Sequence, residues 1–166
     1  MIVLVTGSRT WDQPLVVAEA MIEARDNPPA IYVPPPSGQP AEKMRLRHGA
    51  SGKADMTADM YATKWGWEIQ RYPAAWNLYG PAAGNIRNTF MVNDGIHLCL
   101  SFHDVCISRN HLDKPAHWSH GAMHCADFAE DAGYEVRRAY ACAQGDLEQR
   151  RDWFLLRSPQ TPSVAS

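Results

Sequence analysis

Short continuous apolar runs alternate along the chain with stretches of helical periodicity. Ile2-Val3-Leu4-Val5 stops at Thr6-Gly7, the pattern of a central strand buried on both faces of a parallel sheet. Pro14 suits the first turn of a helix, along which Leu15, Ala18, Met21 and Ile22 recur at helical spacing until Asn27-Pro28-Pro29 ends it. Ile31-Tyr32-Val33 reads as a short edge strand, and Pro34 to Pro40 is too rich in proline for helix or central strand. Met44 to Arg47 predicts a second core strand, weakened by its alternating arginines. The helix after it carries Met56, Met60, Tyr61 and Trp65 on one face and stops at Gly66.

The second half repeats the alternation. Trp67 to Tyr72 reads as a strand closed by Pro73, Ile86 to Val92 as a helix, and Ile96 to Phe102 as another buried strand. Ser119 is placed to cap a helix bearing Ala122, Cys125, Ala126 and Ala129, which Gly133 ends before a strand over Tyr134 to Arg137. Strands alternating with helices predict an α/β fold, a Rossmann-like three-layer sandwich with a mostly parallel central sheet. Residues 1–140 form the predicted α/β domain, and residues 141–166 a C-terminal helix around Leu147 to Leu156 with a frayed tail.

Composition narrows the function. The chain has 166 residues, enough for one domain with its own core, and a formal net charge of −2. That charge weighs against a broad basic surface, so nucleic acid is an unlikely partner on this reading. Four cysteines form no C-x-x-C pair and suit reduced thiols. With no basic leader, cleavage pattern or bilayer-length apolar stretch, the expectation is a cytoplasmic protein without a membrane partner.

Three polar segments follow predicted strands, where an open α/β sheet presents backbone N–H groups and helix N-termini to anions. In the first, Gly7 and Ser8 permit close backbone approach to a phosphate, and Arg9 supplies a planar fork; a tight turn with a solvent-facing arginine is the plain alternative. In the second, His48-Gly49-Ala50-Ser51-Gly52-Lys53-Ala54-Asp55, Gly49 to Asp55 predicts an anion cradle, although the spacing is not that of a Walker loop. Asp55 either complements the dipole of its own helix or accepts bonds from ribose hydroxyls. In the third, Gly84 clears space beside Arg87 and Asn88, suited to a phosphate and to a base edge or ribose; the alternative for Arg87 is a surface ion pair. Trp76 and Tyr79 are candidates to stack a base or to pack as a lid. His103-Asp104 reads either as an acid or base beside the ligand or as a polar strand end. His120 and His124, at i and i+4 with His117 and Cys125 nearby, are ligand types for a metal, but the spacing fixes no third ligand. No metal or other cofactor is expected.

Taken in order, Thr6-Gly7-Ser8-Arg9 with Trp11, His48-Gly49-Ala50-x-Gly52-x-Ala54-Asp55, Tyr72-Pro73-Ala74-x-Trp76, and Tyr79-Gly80-x-Ala82-Ala83-Gly84-x-x-Arg87-Asn88-x-x-Met91-Val92 resemble the SLOG superfamily, most closely its YspA/YpsA-related branch of small bacterial and phage proteins. Ser119-His120-Gly121 resembles that branch's last ligand loop. The resemblance implies a domain that binds a nucleotide or ADP-ribose-like small molecule, as a sensor or sequestering module, at the carboxyl ends of the strands. Its ligand-binding residues are then Gly7, Ser8, Arg9, His48, Gly49, Ala50, Gly52, Asp55, Trp76, Gly84, Arg87, Asn88, Ser119 and Gly121. The superfamily also includes the lonely-guy phosphoribohydrolases, which implies N-glycosidic hydrolysis as an alternative, with Arg87 and Asp55 as catalytic residues. Arg87 and Met91 fit the first motif of those enzymes, whereas their P-G-G-x-G-T-x-E-E motif is absent and His124 and Cys125 stand where its carboxylates would lie. A second alternative, from the DprA/Smf branch, is a DNA-processing accessory module. The exposed apolar tail and the resemblance together predict a homodimer or higher homo-oligomer.

Overall fold

A computed structural model describes residues 1–40, 42–141 and 148–151. Five parallel strands form one sheet in the order β3-β2-β1-β4-β5, where β1 is Ile2–Gly7, β2 Arg45–His48, β3 Glu68–Arg71, β4 Leu98–His103 and β5 Glu135–Tyr140. Helices α1 (Pro14–Asp26), α2 (Lys53–Lys64), α3 (Trp76–Tyr79), α4 (Ala83–Asn93) and α5 (His120–Asp131) connect them. Successive strand residues alternate between the two faces of the sheet. Val3 and Val5 join Leu46, Leu100 and Phe102 under Val17, Met21, Ala54, Ala58 and Ala62 of α1 and α2. Leu4 and Cys99 point the other way, under Met91 and Val92 of α4 and Cys125 and Ala129 of α5. The result is the three-layer Rossmann-like sandwich that the alternation predicts. No helix among the described residues is long and apolar enough to cross a membrane.

Three expectations change. Ile31 to Val33 is not a strand: β3 and β5 occupy the sheet edges, and Val33 lies exposed. In α1 the buried face is Val17, Ala18, Met21 and Ala24, leaving Leu15 and Ile22 outside. In α2 it is Ala54, Asp55, Ala58 and Ala62, with Met56 and Met60 exposed. The cause is close approach: a Cβ built on Gly7 would lie 2.4 Å from Ala54 Cβ, so only alanine-sized side chains fit between α2 and β1.

The second arginine of β2 has a structural role that alternation obscures. Arg47 is buried under the C-terminus of α4, where it donates to the carbonyls of Met91 (2.7 Å) and Gly95 (3.0 Å) and to Gln70 Oε1 (2.8 and 3.0 Å). Its guanidinium also lies 5.2 Å from the centre of the Tyr72 ring and 2.9 Å from Asp94. A cation here satisfies carbonyls that the end of the helix leaves unpaired and complements its dipole.

Candidate functional site

The strand order reverses between β1 and β4, and in open α/β sheets the crevice beyond the carboxyl ends at that switch point is where ligands bind. A cleft of about 420 Å³ opens there, within the range of small-molecule sites. Its floor is Thr6 and Gly7. One wall comes from Trp76, Gly84, Asn85, Arg87 and Asn88, and the other from residues 105–108, His111 and the first turn of α5. Of the ligand-binding candidates, Gly7, Arg9, Trp76, Gly84, Arg87, Asn88, Ser119 and Gly121 meet on this one cleft. Ala50 and Gly52 line a neighbouring cavity of about 790 Å³ with Lys53, and the two cavities share Arg9 and Ser51.

The other candidates lie beneath these surfaces. Ser8 is buried, and its hydroxyl accepts from the Asp104 N–H at 2.8 Å. His48 is buried, accepts the Ala50 N–H on Nδ1 (3.1 Å), and holds Asp59 through Nε2 (2.9 Å), which fixes the loop in which Ala50 adopts φ 50°. Gly49 makes room for Arg87: a Cβ there would sit 1.6 Å from Nη1. Arg87 Nη1 donates to the Gly49 carbonyl and, at 3.2 Å, to that of Tyr72, while Nε reaches Asn88 Oδ1 at 2.9 Å. Asn88 passes the link on, donating to the Gly121 carbonyl at 3.1 Å. Arg87 and Asn88 therefore tie α4 to the loop after β2 and to the start of α5.

Asp55 is 2% exposed and sits on the third residue of α2, accepting from the Ser51 N–H (3.0 Å) and hydroxyl (3.3 Å) on Oδ2. Its Oδ1 is buried with no partner among the described residues. Burial pushes this carboxyl above the usual range, against the opposing pull of the Ser51 N–H, His48 and Arg87. It does not line the cleft, so it influences a ligand only through Ser51 and Arg87. His103 also lies off the cleft: it stacks on Tyr140, bonds Ser101, and is driven down to about 4 by burial. Asp104 is committed to Arg150 at 3.0 and 3.1 Å, a contact that joins residues 148–151 to the domain. Neither member of the His103-Asp104 pair lines the cleft.

Arg9 is the exposed cation of the cleft. Its guanidinium carbon lies 5.9 Å from the Trp76 ring centre, and a Cβ on Gly84 would be 3.4 Å from that ring. Arg9 thus lies over the Trp76 ring in a cation–π arrangement beside the opening, with Gly84 at ordinary contact distance from the indole. Across the cleft, the first turn of α5 offers N–H groups that have no partner within the helix.

The metal-ligating types do not assemble on the helical pair His120 and His124. Cys106, His111, His117 and His120 place one ligand atom each within 4.8 Å of one another, and three of the four line the cleft. His124 instead stacks on Phe128, and burial pushes the Cys125 thiol up to about 11. The overlooked signal is C-x4-H-x5-H-x2-H, spread over a loop.

No protein-family model matches the chain. It is 29% identical over 143 residues to the Gene 61 protein of Mycobacterium phage D29, covering 81% of this chain and 92% of that one. In fold it is similar to DNA processing protein A (DprA) from Streptococcus pneumoniae, with a TM-score of 0.53 and 12% identity over 94% of this chain. The chain spans 56% of that structure. The likeness corrects the expectation that nucleic acid is an unlikely partner, because the fold is shared with a DNA processing protein. Net charge averages over the whole surface, whereas binding depends on the few cations gathered at one groove.

Proposed function

We propose that the chain is a DNA-processing accessory module that takes single-stranded nucleic acid through the cleft beyond β1 and β4. The observation that carries this reading is Arg9, which lines both adjoining cavities, paired with Trp76 in the cleft. Aromatic faces stack bases and cations track phosphates, the combination that single-strand binding sites use. The exposed rim, with Arg9, Trp76, Asn85, His120 and Gly121, leaves space for a strand to enter and leave. The two cavities adjoin at Arg9 and Ser51, and Lys53 supplies a second cation in the neighbouring one. Likeness in fold to a DNA processing protein favours this reading over a free-nucleotide sensor. The SLOG resemblance agrees with nucleotide-unit recognition in either form. N-glycosidic hydrolysis is less well supported, because Asp55 is the acid it requires and Asp55 does not reach the cleft.

The test is fluorescence anisotropy with a labelled single-stranded oligonucleotide over a range of salt concentrations, with AMP and ADP-ribose as competitors. Binding should weaken with salt, and Arg9→Ala should reduce the log–log salt slope by about 1. Trp76→Ala should cost about 1–3 kcal/mol, roughly five- to 150-fold in Kd. Binding of free nucleotide without the oligonucleotide would replace this reading with a sensor, and binding of neither would remove the cleft as a nucleotide site.

A further inference from the structure

We propose that Cys106, His111, His117 and His120 bind a transition-metal cation of the zinc class, with one sulfur and three imidazole nitrogens around it. Each ligand is held by backbone that is itself fixed. Cys106 donates its N–H to the His117 carbonyl at 2.8 Å beside the antiparallel bridge Val105–Trp118, so the two ends of the loop lie side by side. His111 ends a 3-10 turn, Arg109–His111, with its N–H on the Ser108 carbonyl at 2.9 Å, and His120 is the first residue of α5. From outside, Glu148 accepts the Ala116 N–H (2.7 Å) and Arg151 donates to the Lys114 carbonyl (2.7 Å). The loop is thereby braced on both sides.

The distances suit a tetrahedral ion. With Zn–N about 2.0–2.1 Å and Zn–S about 2.3 Å, tetrahedral angles place nitrogens about 3.3 Å apart and sulfur about 3.6 Å from nitrogen. Cys106 Sγ is 3.5 Å from His111 Nδ1, and His117 Nε2 is 2.9 Å from His120 Nε2, while all four ligand atoms lie within 4.8 Å of one another, so side-chain movement of about an ångström, chiefly at the exposed His120 imidazole, closes the shell. The tautomer of His117 points the same way. Its Nδ1 lies 2.8 Å from the Pro115 carbonyl, which can only accept, so the proton resides there and Nε2 is left bare. Three imidazoles with ring centres 4.6–5.4 Å apart, converging with a thiol, are more than mutual hydrogen bonding satisfies. One cation serves all four atoms.

Thiolate and imidazole select a zinc-class ion over magnesium or calcium. Four protein ligands make the site closed, hence structural. Its role is to pin the loop after β4 and the start of α5, which form one wall of the cleft.

The experiment uses the full chain freed of any affinity tag. Elemental analysis of the purified protein should find about one equivalent of zinc. Cobalt(II) added to the metal-free protein should give a thiolate-to-cobalt charge-transfer band and the intense visible bands of tetrahedral coordination, at one equivalent. Cys106→Ser should lose the charge-transfer band. His120→Ala, a change at an exposed position that leaves the core intact, should weaken cobalt binding by more than the roughly tenfold that losing an outer-shell partner costs. Absence of stoichiometric uptake, or a charge-transfer band that survives Cys106→Ser, would overturn the proposal. So would unchanged cobalt affinity in a folded His120→Ala.

Discussion

Gly49→Ala separates two explanations of the glycine after β2, a ligand cradle and a seat for Arg87. The added Cβ would lie 1.6 Å from Arg87 Nη1 and 2.2 Å from Cζ, so the methyl and the guanidinium cannot both occupy this space. Gly49 is not among the positive-φ residues, and alanine therefore brings no backbone strain of its own. Displacing Arg87 breaks its bonds to the carbonyls of Gly49 and Tyr72. Hydrogen bonds from a charged donor contribute about 1.5–3 kcal/mol each, and rehydration of the released guanidinium offsets part, so the expected net loss is about 2 kcal/mol. The background decides the interpretation. In Arg87→Ala the three atoms nearest the new methyl are gone, and Gly49→Ala should cost nothing or stabilise by about 0.4–1 kcal/mol through reduced unfolded-state entropy. Urea unfolding of the wild type, both single variants and the double variant gives the cycle, with an expected coupling of about 2 kcal/mol. Equal cost of Gly49→Ala in both backgrounds would refute the Arg87 seat and return Gly49 to the cradle role.

Further consequences can be checked on the same protein. Gly7→Ala brings two backbone-anchored Cβ atoms to 2.4 Å and should destabilise by about 1–3 kcal/mol in urea melts, against a loss near zero if α2 can shift. Arg47→Met leaves the Met91 and Gly95 carbonyls without their charged donor and should cost about 3 kcal/mol at unchanged m; Asp94, 58% exposed, adds little. Asp55, whose pKa is raised on folding, binds its proton more tightly in the folded state than in the unfolded one. Stability therefore falls as pH rises from the ordinary carboxylate range through the folded pKa. The melting temperature of Asp55→Asn relative to the wild type should rise as pH increases above the ordinary carboxylate range, and a flat or falling difference would contradict that sign.

What the sequence reveals depends on which physical demand wrote each residue. Strands β1 and β4 are buried on both faces, and continuous apolar runs announce them. The alanine and cysteine face of α5 is read correctly because hydrophobicity and smallness agree there. In α2 the two signals part: close packing on the sheet selects alanine, so the larger Met56 and Met60 fall outside, while α1 buries Met21 but leaves Leu15 exposed. Arg47 defeats periodicity because its charge is spent on the carbonyls of Met91 and Gly95, 44 and 48 residues further along the chain. The cleft residues that meet follow strand ends and helix starts, positions that pattern alone can locate. The Cys106, His111, His117 and His120 group escapes because a bridge across the loop creates its proximity, and no helical spacing does.

The two arginines of the cleft carry different information about binding. Reading the sequence alone, Arg87→Ala should abolish nucleotide binding while leaving the fold intact. In the structure Arg87 holds two carbonyls and Asn88, and Asn88 in turn holds Gly121 at the opening turn of α5. Removing Arg87 loosens both walls at once, so loss of binding in that variant says nothing about contact with a ligand. Arg9 is exposed and rests on Trp76, and the backbone of its loop is already set by Ser8 and by Gly52, whose built Cβ would come within 3.0 Å of Arg9 Cα. Arg9→Ala therefore changes the charge at the groove without dismantling its frame. A salt slope lowered by Arg9→Ala at unchanged melting temperature assigns a phosphate contact, whereas an unchanged slope would place the strand elsewhere on the molecule.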